Sequence, residues 1–261
     1  MRTEEYEKSP ALSYSAAKEL ARSPRHYLEW LNAPEEEETP ALRLGRLVHL
    51  CTLQPKVFDE TIRIAPKCDR RFKEGKEIYA AFQSSLQPGQ EAITESEGEA
   101  VTSISTAAKE GLDALLKHYE GKDCQYEVPV FSPYRNVNIK GMPDLVFTAG
   151  TGEKIVVDVK TCADASPKAF LKDIANFKYY LQAVWYMQLT GATQFVFLAV
   201  EKTGPHEYSF IQLDKESLDQ AKAMMDGLCD LYGNCTLFKK YPGYSKTVHT
   251  LPLPKWAFTA D

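Results

Sequence analysis

Two aspartates and a lysine stand out in the segment GMPDLVFTAGTGEKIVVDVKT, residues 141–161. Asp144 directly follows a proline, and Asp158 and Lys160 lie inside a run of valines that favours a half-buried strand. A buried carboxylate or ammonium is costly unless another group pairs with it. Because side chains alternate along a strand, Asp158 and Lys160 should share one face while the neighbouring valines fill the other.

These three charges predict a metal site. If the strands that carry Asp144 and Asp158 pair around the glycine-containing turn between them, the two carboxylates lie side by side and repel each other. A divalent cation removes that repulsion, and oxygen-rich sites with open positions suit Mg²⁺, with Mn²⁺ as a substitute. The cation could orient water and balance charge on a phosphate, while Lys160 stabilises the transition state or helps to deprotonate the water. The competing interpretation is a plain Asp–Lys pair on an exposed strand.

The elements that must position these residues predict an α/β fold with a central mixed β-sheet flanked by helices. We predict helices at 13–31 (broken at Pro24), 38–50, 72–84, 95–119, 166–189 and 215–232, and strands at 125–132, 136–147, 154–161, 193–202 and 207–214. We expect one domain over 1–261: a mainly helical part (1–120), a sheet core (121–235) and a Pro-rich extended tail (236–261).

Composition sets limits on the class of protein. The 261 residues are 44% hydrophobic and carry a formal net charge of −5, which argues weakly against broad nucleic-acid binding. The acid is concentrated at 34–40 and 91–100, however, and 65–76 is basic, so an acidic exterior is compatible with a basic groove. No apolar run approaches the roughly 18 residues of a membrane span, and the N-terminus has no apolar signal segment. With six scattered cysteines that we expect to be reduced, the sequence predicts a cytoplasmic protein without a membrane partner.

Polar residues outside the charged strand are further candidates. Lys178, Gln182 and Tyr186 recur at i, i+4 and i+8 beside a predicted core stripe, which consists of Phe170, Ile174, Phe177, Leu181 and Val184. A solvated helix edge is the competing interpretation, and we favour it for Lys178. His49 lies on an apolar helix, where a lone histidine is more often a core residue than a ligand.

The order of these motifs resembles that of the PD-(D/E)XK nuclease superfamily: Pro-Asp at a strand end, a hairpin-length gap, D-x-K in a β-branched strand and a following amphipathic helix. QAVWY, which begins at Gln182, and GRLVH, which ends at His49, are similar to motifs of its RecB-like members. Ser23 stands where some of these have the cysteine of a Cys-Pro-Arg motif, so no iron–sulfur cluster is expected. Residues from about 12 to 235 resemble the C-terminal nuclease domain of the RecE exonucleases (exonuclease VIII).

The resemblance implies specific roles. It implies that His49, Asp144, Asp158, Lys160, Gln182 and Tyr186 are catalytic and that His49, Asp144, Asp158 and Val159 hold the metal. It also implies a Mg²⁺-dependent exodeoxyribonuclease that degrades linear double-stranded DNA 5′ to 3′. Such an enzyme leaves 3′ single strands for recombination with a single-strand annealing protein as partner, and it assembles as a toroidal homotetramer.

Other residues could join the site. Glu127 lies on the strand before Asp144, where some superfamily members supply an extra carboxylate; an exposed strand glutamate is the alternative. Arg70, Arg71 and Lys73 could contact the DNA backbone or lie in a solvated loop. Arg25 could hold a 5′-phosphate by analogy, since a guanidinium matches phosphate geometry.

Two other functions fit the same sequence. An endonuclease of the same superfamily would use the same residues, and a catalytically idle DNA- or protein-binding module could keep the fold. An idle module should have lost part of the set His49, Asp144, Asp158 and Lys160, and all four are present.

Overall fold

The computed structural model describes residues 4–34, 37–253 and 258. Its helices are α1 (Glu4–Lys8), α2 (Tyr14–Leu20), α3 (Pro24–Asn32), α4 (Pro40–Leu53), α5 (Pro55–Thr61), α6 (Lys73–Ser85), α7 (Glu95–His118), α8 (Pro167–Asn176), α9 (Tyr179–Thr190) and α10 (Lys215–Phe238). Its strands are β1 (Leu12–Ser13), β2 (Ile62–Ile64), β3 (Glu91–Ile93), β4 (Lys122–Tyr126), β5 (Val130–Tyr134), β6 (Val137–Gly141), β7 (Leu145–Thr148), β8 (Lys154–Cys162), β9 (Gln194–Glu201) and β10 (Tyr208–Ile211). The predicted α/β class with a helical N-terminal part is confirmed.

The charged strand, β8, lies at the centre of a five-stranded sheet with the order β10-β9-β8-β7-β4. It runs parallel to β9, and the other neighbouring pairs are antiparallel, so the sheet is mixed as predicted. β7 and β8 form a hairpin in which Leu145 lies opposite Val157. Asp144 precedes Leu145 and Asp158 follows Val157, and the hairpin therefore brings both carboxylates to the same end.

Helices cover both faces of this sheet, and the side chains of β8 alternate between them. Val157 and Val159 pack into a core formed with α4 and α7. On the opposite face Val156 packs against α8 and α9, and Asp158 accepts a hydrogen bond from Gln182 of α9. Each buried valine contributes about 1.5–3 kcal/mol of hydrophobic free energy, so the apolar alternation fixes the face on which Asp158 lies.

A second sheet of three strands, with the order β1-β6-β5, packs against α2, α9 and α10. The two predicted strands 125–132 and 136–147 each divide between the two sheets, as β4 with β5 and β6 with β7. The first leaves the central sheet at Glu127, whose φ of 47° is in the left-handed region. The second divides at Met142 and Pro143, where the proline has no N–H to donate to a ladder.

The predicted helix 166–189 is also interrupted. α8 ends at Asn176 and α9 begins at Tyr179, because Lys178 has a left-handed φ of 57°. The predicted core stripe therefore holds except at Phe177, which is 51% exposed, and Lys178 does not continue the polar row of α9. The carbonyl groups of Phe177 and Lys178 share the single O–H donor of Tyr14, at 2.9 and 3.3 Å from its oxygen. Tyr14 is more than 160 residues away in the sequence, so this interaction has no local signal.

The C-terminal end differs from the prediction at its start. α10 continues to Phe238, so the first residues of the predicted tail 236–261 are helical. The Pro242 carbonyl then accepts from the N–H of Arg25 at 3.1 Å, and the ring centroids of His26 and Tyr244 lie 5.3 Å apart, so the tail follows α3. Residues 254–257 and 259–261 of the predicted tail lie outside the described residues. None of the helices that the structure describes has the length and apolar composition needed to cross a membrane.

Candidate active site

The end of the β7–β8 hairpin holds the first half of the site. The pairing of β7 with β8 ends at Val157, and the main chain of Val159 is bound instead by the side chains of Asp144 and His49. The Val159 N–H donates to Asp144 Oδ2 at 2.7 Å, and the Val159 carbonyl lies 2.6 Å from His49 Nε2. His49 Nδ1 lies 3.5 Å from Asp144 Oδ2. The predicted residues His49, Asp144 and Val159 are thus brought together.

The second half of the site lies on the α9 side of β8. The Asp158 side chain is only 1% exposed, and its Oδ1 accepts from Gln182 Nε2 at 2.8 Å. Its Oδ2 is paired with Lys160 Nζ, whose side chain is 16% exposed. The ammonium also lies 4.8 Å from the centre of the Tyr179 ring. The predicted group Asp158, Lys160 and Gln182 is therefore assembled, and Tyr179 joins it.

Charge is unevenly balanced between these halves. Burial, together with the nearby Asp158 carboxylate, raises the pKa of Asp144 to about 6, although His49, Lys160 and the Val159 N–H act in the opposite direction. Burial opposes the charged form of Lys160, but the Asp158 and Asp144 carboxylates outweigh it and raise its pKa. Lys160 is therefore protonated at neutral pH, which favours charge stabilisation over proton abstraction from water.

Glu127 completes a group suited to a cation. Among the described residues, His49, Glu127 and Asp144 offer ligand atoms that all lie within 4.8 Å of one another. The Glu127 side chain accepts from Gln54 Nε2, and its N–H donates to the Asp144 carbonyl at 3.0 Å. The imidazole of His49 and the carboxylates of Glu127 and Asp144 form a ligand set that suits a hard divalent ion. Asp158 stands apart from this group because Gln182 and Lys160 bind its carboxylate.

Tyr186 lies behind the Asp158–Gln182 pair. Burial and the Asp158 carboxylate raise the pKa of its hydroxyl. Its ring packs on β6 so closely that a Cβ at Gly141 would lie 2.8 Å from it. Tyr186 therefore supports the position of Gln182 on α9.

The four basic residues predicted to contact DNA are exposed and are not among the residues that line the cleft beside this site. Arg71 Nη2 binds Asp69 Oδ2 at 2.6 Å. Arg25 and Lys73 each pair with a glutamate one turn further along their own helices, and Arg70 lies over a tyrosine ring. Contact of these four residues with DNA stays a prediction.

An open cleft of about 1360 Å³ leads to the site. His49, Glu127, Val159, Lys160 and Tyr179 line it together with three basic residues that sequence reasoning missed, Lys18, Arg46 and Lys202. Arg46 lies one turn before His49 on α4, and this spacing was a usable signal. Lys18 and Lys202 reach the cleft from distant parts of the chain and have no such signal.

Solved structures and a family model were compared with this chain. A protein from Eubacterium rectale, named provisionally as an exonuclease, superposes with a TM-score of 0.63 at 17% identity over 100% of this chain and 98% of its own, and so has the same fold. Two further structures are too distant to support an argument. One is a phage-related exonuclease from Haemophilus somnus, with a TM-score of 0.35 at 13% identity over 54% of this chain and 74% of its own. The other is an alkaline exonuclease from Laribacter hongkongensis, with a TM-score of 0.33 at 12% identity over 52% of this chain and 70% of its own. No curated protein matches the chain significantly.

A family model gives a more specific result. Residues 13–252 match the model described as a PDDEXK-like domain of unknown function, DUF3799. This match spans both halves of the site and nearly the whole chain. The chain therefore belongs to the PDDEXK-like DUF3799 family.

Proposed function

We propose that this protein is a metal-dependent exodeoxyribonuclease that hydrolyses linear double-stranded DNA. The observation that carries the proposal is the convergence of His49, Asp144, Asp158 and Lys160 at one end of the β7–β8 hairpin, beside an open cleft that His49 and Lys160 line. A family built on a PDDEXK-like domain supports the same reaction class.

Mg²⁺, or Mn²⁺ in its place, would be held by His49, Asp144 and the Val159 carbonyl, with Glu127 as the additional carboxylate. Asp158, whose carboxylate is bound by Gln182 and Lys160, would hold the Lys160 ammonium rather than the ion. The bound cation would supply a Lewis acid for the phosphate and the attacking water. In the reaction the water oxygen bonds to phosphorus, one bridging P–O bond breaks, and a proton from the water ends on the leaving oxygen.

The protein groups have separate tasks in this reaction. The Lys160 ammonium, fixed by Asp158, balances negative charge that develops on the phosphate. Gln182 fixes the Asp158 carboxylate by donating to its Oδ1. His49 binds the Val159 carbonyl and lies beside Asp144, so it fixes the position of these two groups relative to each other.

The finer properties rest on the resemblance to the RecE exonucleases. They are degradation from 5′ to 3′, 3′ single strands as product, a toroidal homotetramer, and a single-strand annealing protein as partner in the cytoplasm. A toroid would retain DNA in a central channel, so degradation could be processive although the chain has a net charge of −5.

One assay separates the candidate functions. Linear and closed-circular duplexes of the same sequence are incubated with protein and Mg²⁺, and Asp144→Asn serves as the inactive control. We expect the linear form alone to be degraded, and excess EDTA to stop the reaction. Cleavage of both forms would make the protein an endonuclease, whereas binding without cleavage would make it an idle module. Labels at the 5′ and 3′ ends then report polarity.

A further inference from the structure

Tyr179 is held in a cluster of aromatic rings beneath Lys160. The ring centroids of Phe170, Phe177 and Phe197 lie 6.3, 5.5 and 6.2 Å from that of Tyr179. The Lys160 Nζ lies 4.8 Å from the Tyr179 centroid, and Tyr179 and Lys160 both line the cleft. The ring therefore has a fixed position and presents its face to the ammonium.

The interruption between α8 and α9 determines where this ring lies. Lys178 adopts a left-handed conformation, and Tyr179 follows as the first residue of α9. The Tyr14 hydroxyl bonds both carbonyl groups at the interruption, those of Phe177 and Lys178. A left-handed lysine is locally unfavourable, and such a conformation persists where the surrounding structure fixes it.

We propose that Tyr179 is a positioning residue that holds the Lys160 ammonium at the wall of the cleft through a cation–π interaction. Asp158 binds the ammonium from within the sheet and, alone, would draw it inward. An aromatic face attracts the cation without using an acceptor oxygen, so N–H donors of Lys160 remain available for a phosphate. This assignment rests on the nuclease function proposed above.

Substitutions at position 179 separate this role from simple packing. Tyr179→Phe keeps the aromatic face and should retain kcat, whereas Tyr179→Leu keeps an apolar side chain but removes the face. We expect Tyr179→Leu to lower kcat by about 5- to 30-fold, as for loss of a partly desolvated cation–π contact, with KM for DNA changed less than about twofold. An unchanged kcat in folded Tyr179→Leu would overturn the proposal.

A graded series of fluorinated phenylalanines at position 179 tests the electrostatic origin of the effect. Each added fluorine weakens the negative potential of the ring face while changing its shape little. We expect kcat at saturating Mg²⁺ and DNA to fall stepwise along the series. The same series at Tyr180, the next residue of α9, is the matched control and should leave kcat constant. A flat series at position 179 would overturn the proposal.

An NMR measurement on the metal-free protein needs no activity. The side-chain signals of Lys160 are assigned in ¹³C-lysine protein by their absence from Lys160→Gln. We expect an upfield ring-current shift of the Lys160 Hε protons in the wild type and Tyr179→Phe that is lost in Tyr179→Leu. Shifts that are the same in all three proteins would overturn the positioning role. If the shift behaves as expected but no DNA is cut, the proposed function fails while the placement of Lys160 stands.

Discussion

The two sides of β8 solve the same electrostatic problem in opposite ways. On the α9 side Asp158 is paired with Lys160 and hydrogen-bonded by Gln182, so the buried charges are neutralised within the chain. On the α4 side Asp144 lies beside Glu127 and His49, no described lysine or arginine forms an ion pair with it, and its pKa is raised. The α9 side provides its own cation, whereas the α4 side offers ligand atoms that could hold a metal ion.

The largest expected effect comes from exchanging the two aspartates for asparagine. Asp144→Asn and Asp158→Asn should each lower cleavage by about 10³-fold or more, because both remove a carboxylate from the site. Their effects on the free energy of unfolding of the metal-free protein should have opposite signs at pH 7.5. Asp144→Asn removes a costly buried charge and should stabilise by about 1–3 kcal/mol. Asp158→Asn leaves the Lys160 ammonium unpaired and should destabilise by about 3–5 kcal/mol.

Urea denaturation in EDTA measures both free energies of unfolding. Two shifts of the same sign would mean that the two sides of β8 are not electrostatically different. The burial of the Asp158–Lys160 pair is the reason that Asp158→Asn should destabilise the fold.

Lys160 tests the α9 side by itself. Lys160→Ala should lower the rate at saturating Mg²⁺ by about 10²-fold, as for loss of one preorganised charge, without changing the Mg²⁺ concentration for half-maximal activity. An ammonium cannot ligate a cation, so metal affinity is the internal control. Lys160→Gln, which retains a donor for Asp158, should be as slow but more stable. If the Mg²⁺ concentration for half-maximal activity shifts while the rate at saturating Mg²⁺ is unchanged, Lys160 does not act by stabilising charge on the phosphate.

His49 tests the α4 side. The competing interpretation was a core histidine, but the side chain is 25% exposed and lines the cleft. His49→Ala should raise the Mg²⁺ concentration for half-maximal activity by about 10- to 100-fold, as for other residues that hold a metal or orient its ligands. The melting temperature in EDTA should change little. A lower melting temperature with an unchanged Mg²⁺ titration would restore the core interpretation.

The sequence predicted the part of this comparison that depends on local pattern. Alternation in β8 and the hairpin length were enough to bring Asp144 and Asp158 to the same end of the hairpin, because strand periodicity and short turns are local properties. Glu127 was a candidate only through the family resemblance, since its approach to Asp144 depends on its own left-handed conformation, where the chain changes sheets. Tyr179 was missed for a similar reason: its position depends on a helix interruption that Tyr14 stabilises from the other end of the chain.

The smallest expected effect is a pH dependence of metal-induced stabilisation. The folded pKa of Asp144 is about 6, above its ordinary value of 3.8, so folding favours the protonated acid. Its contribution to stability is therefore present at low pH and is lost as pH rises through about 6, where the folded protein must carry a buried, negatively charged carboxylate. A divalent cation offsets that loss only where the carboxylate is ionised.

We expect Mn²⁺ to raise the melting temperature by several degrees at pH 7.5 and by almost nothing at pH 5. Differential scanning fluorimetry measures both values, with Asp144→Asn as the control that should show little Mn²⁺ shift at either pH. An equal Mn²⁺ shift at pH 5 and pH 7.5 in the wild type would locate the cation away from Asp144.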